Sequence, residues 1–121
     1  MQLDYIMKTK LNGFLTLLLA FMVQISFAQE KNIQVIDGDT IHIGKLKYRF
    51  FGIDAPETKQ ICEKDNIKIQ CGVIAKNVLK NKIANKIPEC VVKDKDRYQR
   101  LVAECFIGKE SLSRFMVREG Y

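Results

Sequence analysis

The sequence lacks the ligand spacing of a structural zinc site and the repeats of an array protein. Its 121 residues contain a single histidine, His42, and no two cysteines are spaced as CxxC. Structural zinc sites draw Cys and His ligands from such closely spaced pairs, so we do not expect one here. No stretch repeats at a fixed period, and no segment has low complexity. A chain of this length is at most one ordinary domain.

The sequence also lacks an uninterrupted membrane-spanning run. Its longest apolar stretch, residues 11–25, contains polar residues and is shorter than the ~18 or more apolar residues of a spanning helix. Lys8 and Lys10 precede this stretch, and Ser-Phe-Ala follows it, a pattern typical of a secretory signal peptide. We therefore predict a signal peptide over residues 1–28, cleaved after Ala28, and a secreted or periplasmic protein. A membrane anchor is the alternative if this segment stays uncleaved.

What remains, residues 29–121, is basic. Because residues 1–28 carry only Lys8, Lys10 and Asp4 as charged side chains, the remainder keeps 18 of the 20 basic and 13 of the 14 acidic residues, a formal charge of +5. This sign favours a polyanionic partner such as nucleic acid, although a solvated basic face would look the same.

All four cysteines, Cys62, Cys71, Cys90 and Cys105, lie in this remainder. An even number of cysteines in a short exported chain indicates disulfides. Three connectivities are possible. We favour Cys62–Cys71, which closes a local loop, and Cys90–Cys105, which can join two neighbouring strands.

The hydrophobic pattern predicts three strands, a helix, two strands and a second helix. The predicted strands cover 33–36, 40–43, 46–53, 89–93 and 101–107, and the helices cover 72–86 and a segment from Ser111, as N-cap, to Gly120. Residues 58–70 are polar and are expected to be irregular. This order suits an α+β, mainly β domain, a five-stranded OB-fold barrel with a helix after strand 3 and another at the C-terminus. An open α+β sheet is the alternative.

The stretch VIDGDTI, residues 35–41, has one aspartate more than a hairpin turn needs. Asp37-Gly38 between apolar runs predicts a tight turn, because glycine accepts a positive φ. Asp39 is left over, and its role is either part of the turn or a metal or catalytic ligand.

A second stretch, RFFGIDAPE, places Arg49, Asp54 and Glu57 close together in sequence. Arg49 and Asp54 are an odd number apart and would face opposite sides of a straight strand, so one shared site requires the bend that Gly52 permits. With Asp39 and with Arg100 of the DRYQR stretch, these residues form a set that fits phosphodiester hydrolysis. Carboxylates hold a hard cation and orient water, and arginines bind phosphate.

Together, IDGDTI, RFFGIDAPET, DRYQR and LSRFMVREGY resemble the staphylococcal-nuclease-like (thermonuclease) family, from about residue 33 to the last residue. The QICEKDNIKIQCGVIAKNVL stretch resembles its exported, cysteine-containing branch. The resemblance implies an SNase-like OB-type barrel and calcium-dependent cleavage of DNA and RNA that leaves 3′-phosphates. It also implies a monomer without a stable protein partner.

Carried over motif by motif, the resemblance implies that Asp39 and Asp54 are carboxylate ligands of Ca²⁺ and that the backbone carbonyl of Ala55 is a further ligand. Asp37 would have a supporting role. The preference for Ca²⁺ over Mg²⁺ comes from the resemblance, since the residues themselves indicate only a hard cation.

The same resemblance implies that Glu57 is the general base that orients water. Arg49 and Arg100 would bind the scissile phosphate and stabilise the transition state, and Tyr98 would form a wall of the substrate pocket. The three catalytic residues expected are thus Glu57, Arg49 and Arg100.

The sequence departs from the family pattern in two places. Gln99 stands where the family's hairpin has glycine, and a positive φ there would cost about 1 kcal/mol and could shift Arg100. Family members continue beyond the position of Gly120 with a third helix, whereas this sequence ends at Tyr121, so we expect a domain without that segment. Two alternatives follow: a non-catalytic OB module that binds nucleic acid or protein, and an inactive truncated nuclease copy.

Overall fold

The computed structural model of the protein describes residues 32–121, so the predicted signal peptide over residues 1–28 lies outside the described part and remains a prediction. The strands and helices are, in chain order, β1 (Ile33–Asp37), β2 (Thr40–Ile43), β3 (Leu46–Phe50), β4 (Cys62–Lys64), β5 (Ile67–Ile69), α1 (Cys71–Ile83), β6 (Glu89–Lys95), β7 (Leu101–Ile107), β8 (Glu110–Ser111) and α2 (Leu112–Arg118). No helix in residues 32–121 is long and apolar enough to cross a membrane.

The main sheet has the strand order β1-β2-β3-β7-β6, with the short β8 paired to β7. Its ladders are antiparallel except for the parallel pair β3–β7. This mixed sheet with its two helices confirms the predicted class, a mainly β domain of the OB type. Within residues 32–121, no ladder joins β1 to β6.

One face of this sheet carries the core. Ile41 and Phe50 lie on neighbouring strands and are at most 1% exposed. They share one buried cluster with Ala75 and Leu79 of α1 and with Met116 of α2. Burying a side chain of this size contributes roughly 1.5–3 kcal/mol, so the two helices are held against the sheet by apolar contact.

The other face, called here the outer face, is polar. Thr40 is the register partner of Arg49, and His42 is the partner of Lys47. Because side chains alternate along a strand, these four point away from the core side that Ile41 occupies. The alternation of side chains along β2 and β3 therefore places the cationic side chains of Arg49 and Lys47 on the outer face.

Several predicted bounds were wrong, and one of them is the end of β6, which runs to Lys95 and not to residue 93. β3 ends at Phe50 instead of residue 53, because the chain turns at Gly52, whose φ is +79°.

Residues 58–70 are not wholly irregular, since β4 and β5 pair as a hairpin. Its turn residues Asp65 and Asn66 both have positive φ, as a two-residue hairpin turn requires. Helix α1 spans Cys71–Ile83 and not 72–86, because Ala84 leaves the helical conformation with φ +48°.

The expected disulfides and the expected N-cap of α2 are present, whereas α2 ends at Arg118 before the predicted Gly120. Cys62 is bonded to Cys71 and Cys90 to Cys105, the pairing that the sequence favoured. Ser111 caps α2, because its hydroxyl accepts a hydrogen bond from the backbone N–H of Arg114 at 3.4 Å.

Candidate active site

Asp39 is the buried centre of the site. It lies in the turn between β1 and β2 and is 4% exposed. Its Oδ1 accepts a hydrogen bond from the Thr40 hydroxyl at 2.8 Å, and its Oδ2 accepts one from the Ala55 backbone N–H at 2.9 Å. The Asp37 carboxylate accepts the Asp39 backbone N–H at 3.2 Å. The turn thus supplies a fixed carboxylate, and the supporting role of Asp37 stays a prediction.

Arg49 bridges the two carboxylates predicted to share a site. Its Nη1 lies 2.8 Å from Asp39 Oδ2, and its Nη2 lies 2.9 Å from Asp54 Oδ1. Nη1 also donates to the Ile53 carbonyl at 3.2 Å. The bend at Gly52 brings Arg49 and Asp54 to one side, as the sequence required. The Asp54 side chain is 92% exposed, so it is free to turn towards another cation.

Burial raises the pKa of the Asp39 carboxyl above its ordinary value. The neighbouring Asp37 adds to this rise, whereas the Thr40 hydrogen bond and the Arg49 charge oppose it. A buried carboxylate between another acid and one cation favours additional positive charge nearby. This electrostatic balance is compatible with a cation ligand.

The donor set fits a hard metal ion in chemistry but is small. Among residues 32–121, no three His, Cys, Asp or Glu side chains are grouped to hold a metal. The carboxylates of Asp39 and Asp54 converge on one guanidinium, and the Ala55 N–H contacts Asp39, which brings the Ala55 peptide to the same cluster. Ca²⁺ and Mg²⁺ accept such sets, completed by water or substrate oxygens.

Gly38 has a different role from the one predicted. Its φ does not lie in the left-handed region, so the turn does not need glycine for that reason. A Cβ at this position would lie 2.8 Å from Ala55 Cβ and 3.0 Å from Ala75 Cβ. Glycine is required because the chain carrying Asp39 packs directly against the Ala55 segment and α1, and this contact holds Asp39 beside Ala55.

A groove of about 450 Å³ lies beside this cluster. Its lining includes Glu57, Arg100 and Tyr98, three candidate site residues predicted from the sequence. The full lining is Ile36, Asp37, Thr40, His42, Lys47, Glu57, Tyr98 and Arg100. Arg49, Asp54 and Ala55 are not among the lining residues. Thr40 connects the two parts, because it borders the groove and donates to Asp39.

The hairpin between β6 and β7 positions Arg100. Gln99 has φ +65°, which confirms that this position needs the left-handed conformation. Asp96 Oδ2 accepts from Arg100 Nε at 2.7 Å, and Asp96 Oδ1 accepts the backbone N–H groups of Tyr98 and Arg100, each at 2.9 Å. Although desolvation opposes the shift, the hydrogen bonds from Arg100 and Tyr98 lower the pKa of Asp96. Arg100 is therefore held in place despite the glutamine.

Sequence reasoning missed several residues of this surface. Asp96 was visible as a carboxylate four residues before Arg100, a spacing that predicts a side-chain-stabilised turn. Thr40 follows Asp39 directly, but its role depends on the folded turn. His42 and Lys47 border the groove because they are cross-strand partners. Burial and the Lys47 charge lower the pKa of His42, which favours the neutral imidazole at pH 7.

The fold and the site together define an OB-type domain with an acidic–basic cluster beside a groove. A family profile described as staphylococcal nuclease homologue matches residues 47–121. The chain belongs to this family, which confirms the resemblance seen in its motifs.

Three relatives have similar sequences, and two of them carry nuclease names. The chain is 32% identical to an "Uncharacterized endonuclease" of Haemophilus influenzae over 87% of its own length and 59% of that protein. It is 36% identical to a "Thermonuclease" of Staphylococcus hyicus over 74% of its own length and 55% of that protein. A "Succinoglycan biosynthesis protein ExoI" of Rhizobium meliloti is 33% identical over 71% and 47%, respectively. The chain spans about half the length of the relatives it matches.

Proposed function

We propose that the protein is an exported, calcium-dependent nuclease that hydrolyses phosphodiester bonds of DNA and RNA and leaves 3′-phosphates. One observation carries the proposal: Arg49 joins the carboxylates of Asp39 and Asp54 beside a groove lined by Glu57 and Arg100. These are the groups that hydrolysis of a phosphate diester needs. Family membership and the names endonuclease and thermonuclease among the relatives support it.

Asp39, Asp54 and the Ala55 carbonyl would hold the metal ion. When bound, the cation supplies positive charge that polarises the phosphate and neutralises charge in the transition state. Ca²⁺ is proposed over Mg²⁺ because of the resemblance to the thermonuclease family, and Ca²⁺ tolerates irregular sets of oxygen ligands better than Mg²⁺ does. The exposed Asp54 supports an adaptable site of this kind.

Glu57 is the proposed general base. It lines the groove and is exposed, so water reaches its carboxylate. In the proposed reaction Glu57 takes a proton from a water molecule and the water oxygen attacks phosphorus. The bond from phosphorus to O5′ breaks, and O5′ takes a proton from solvent water and leaves as a 5′-hydroxyl. This step leaves the phosphate on the 3′ side.

Arg49 and Arg100 are the proposed phosphate ligands. Both are partly buried, with side chains 22% and 27% exposed, and each already bonds a carboxylate that orients it. Guanidinium groups bind phosphate oxygens in pairs and neutralise charge that develops during transfer. Asp54, which would be a ligand of the cation, is bonded to Arg49 Nη2, and release of this contact would make Nη2 available to the substrate.

Low sequence preference follows from this set of contacts. Arginines that bind phosphate oxygens position the strand but read no base. Tyr98, which is 62% exposed, presents a ring that stacks with any base. An open groove with one aromatic wall is suited to single-stranded segments of either DNA or RNA.

Export is part of the proposal. Two disulfides in a domain of this size are typical of proteins that work in an oxidising compartment. The signal peptide predicted over residues 1–28 would provide the route to a secreted or periplasmic location.

The test is hydrolysis of labelled single-stranded DNA and RNA by the purified protein with Ca²⁺, with Mg²⁺ and with EGTA. We expect cleavage with Ca²⁺, none with EGTA, and products that carry a 3′-phosphate. Glu57→Gln should lower kcat by about 10²–10⁴-fold, whereas Glu63→Gln on the exposed β4 should not. Salt-sensitive binding without turnover would instead identify a binding module.

A further inference from the structure

Gly72, in the first turn of α1, lies directly against the peptide that follows the Glu57 side chain. A Cβ at residue 72 would be 1.7 Å from the Glu57 carbonyl oxygen and 2.6 Å from the Glu57 carbonyl carbon. It would also lie 2.8 Å from the carbonyl carbon of Thr58. These contacts are with backbone, which cannot swing aside as a side chain can.

Residue 72 is glycine because there is no room for a Cβ, and not because the backbone needs a conformation that only glycine adopts. Gly72 does not have a positive φ, and a glycine inside a helix weakens the helix relative to alanine. The residue is buried. Only a residue without a side chain allows α1 and the Glu57 segment to approach this closely.

Hydrogen bonds fix the same segment. The backbone N–H of Gly72 donates to the Gln60 carbonyl at 3.2 Å, and the Gln60 N–H donates to the Glu57 carbonyl at 2.8 Å. The Gln60 side-chain oxygen accepts the Glu57 N–H at 3.3 Å. Thr58 donates its hydroxyl to the Ile36 carbonyl of β1 at 2.7 Å. Both backbone polar groups of Glu57 are therefore held from within the loop.

The Cys62–Cys71 disulfide joins the end of this loop to the start of the same helix. Cys71 is 8% exposed, and the helix is anchored in the core by Ala75, which is fully buried. The loop 58–61 is thus attached at one end to β3 through residues 51–57. At its other end the Cys62–Cys71 disulfide attaches it to α1. The helix start forms a fixed surface under Glu57.

We propose that Gly72 and the Cys62–Cys71 disulfide act together as a brace that positions the Glu57 carboxylate in the groove. The proposal rests on the proposed function and adds two positioning elements that do not touch the substrate. The brace acts on the orientation of the base and not on phosphate binding, which Arg49 and Arg100 provide. Its loss should lower kcat and leave KM nearly unchanged.

Gly72→Ala tests the close contact. A misplacement of about 1 Å at a reacting group can cost about 10²-fold in rate, so we expect kcat to fall by about ten- to a hundredfold with KM within about twofold of wild type. Gly108→Ala is the control, because Gly108 has φ +60° and open space around its Cβ position. This control strains the backbone and lowers the melting temperature, but kcat should stay within about twofold of wild type.

The disulfide is tested by Cys62→Ala with Cys71→Ala, compared with Cys90→Ala and Cys105→Ala. Each pair removes one disulfide and should lower the melting temperature. Only the first pair should reduce kcat selectively, because Cys90 and Cys105 join β6 to β7 away from Glu57.

Hydrogen exchange provides a readout that does not depend on activity or on a variant that folds. Dithiothreitol converts the Cys62–Cys71 disulfide to two thiols and is itself oxidised to a cyclic disulfide. In the native protein, reduction should accelerate amide exchange in peptides covering residues 57–62, where the Gln60 N–H is bonded to Glu57. Unchanged exchange in this segment would overturn the brace, even if Gly72→Ala does not fold.

Glu57→Gln separates this proposal from the proposed function. If Glu57→Gln keeps full activity, the assignment of the base fails. If Glu57→Gln is inactive while Gly72→Ala and the Cys62/Cys71 pair keep the wild-type kcat, the brace is wrong and the nuclease assignment stands. A fall in kcat confined to these two variants, with accelerated exchange, supports the brace.

Discussion

The Asp96 carboxylate holds both the side chain and the backbone of Arg100: Oδ2 accepts from Nε at 2.7 Å and Oδ1 accepts from the backbone N–H at 2.9 Å. Because one carboxylate makes both contacts, the hairpin conformation and the orientation of the guanidinium group are coupled. The Arg100 guanidinium carbon also lies 5.5 Å from the centre of the Tyr98 ring. A phosphate that binds Arg100 therefore meets a cation whose side-chain conformation is already restricted.

Asp96→Ala should reduce activity through Arg100. Without the carboxylate, Arg100 must be ordered when substrate binds, so we expect kcat/KM for oligonucleotides to fall by about ten- to a hundredfold. Asp94→Ala is the matched control, because Asp94 is exposed and its carboxylate bonds the N–H of its neighbour Lys95. Steady-state kinetics with both variants decide the question. Equal kinetics for the two would contradict an orienting role for Asp96.

Gln99→Gly should stabilise the protein. Gln99 has φ +65°, a conformation that costs a residue with a side chain about 1–2 kcal/mol and glycine almost nothing. Part of this gain is offset by the greater freedom of glycine in the unfolded chain, so the free energy of unfolding should rise by about 0.5–1 kcal/mol. Urea unfolding followed by circular dichroism measures it. Gln99→Ala, which keeps a Cβ, should give no comparable gain.

The parts of the site that were predictable depend on local chemistry. The turn at Gly52 and the spacing of Arg49 and Asp54 predicted a bend that the fold contains. The N-cap at Ser111 required only the hydroxyl and the apolar run that follows it. The hydrophobic pattern predicted the order of the main strands and helices along the chain, and the family resemblance implied the OB-type barrel.

The parts that were not predictable depend on contacts between distant segments. β4 and β5 have three residues each and are mostly exposed, so their pattern is too short to predict a hairpin. The reason for Gly38 is its contact with Ala55 and Ala75, and the reason for Gly72 is its contact with Glu57. A single sequence marks these glycines only as small residues, because the neighbour that excludes a side chain is set by the tertiary fold.

Stability should decrease in acid through Glu110. This carboxylate accepts hydrogen bonds from Lys82 and Arg118, which lower its pKa below the ordinary value of 4.5. A lowered pKa stabilises the fold above pH 4.5, and this stabilisation is lost as the pH falls through the lowered value. Glu110→Gln should therefore lower the melting temperature at pH 7 and have progressively less effect below pH 4.5. A melting-temperature difference that stays constant from pH 7 to pH 3 would contradict this. Glu63→Gln, at an exposed site on β4, should have little effect at either pH.

Lys47→Ala should weaken substrate binding without changing the chemical step. Lys47 lies on the outer face with Arg49, two residues away or about 6.8 Å along β3, and it borders the groove that contains Glu57 and Arg100. This placement suits a contact with a phosphate next to the scissile one. Each such contact contributes about 0.7 to the slope of log K against log salt for a single strand.

Binding is best measured in the Glu57→Gln background, where turnover does not consume the probe. Lys47→Ala should reduce the salt slope by about 0.7 for a labelled single-stranded oligonucleotide, and in the active protein it should raise KM with little change in kcat. Lys45→Ala removes the same charge from the neighbouring β2–β3 turn, outside the groove lining. If both lysine variants changed the slope equally, the effect would come from overall charge. A change confined to Lys47 would indicate that the strand crosses β2 and β3 towards Arg49.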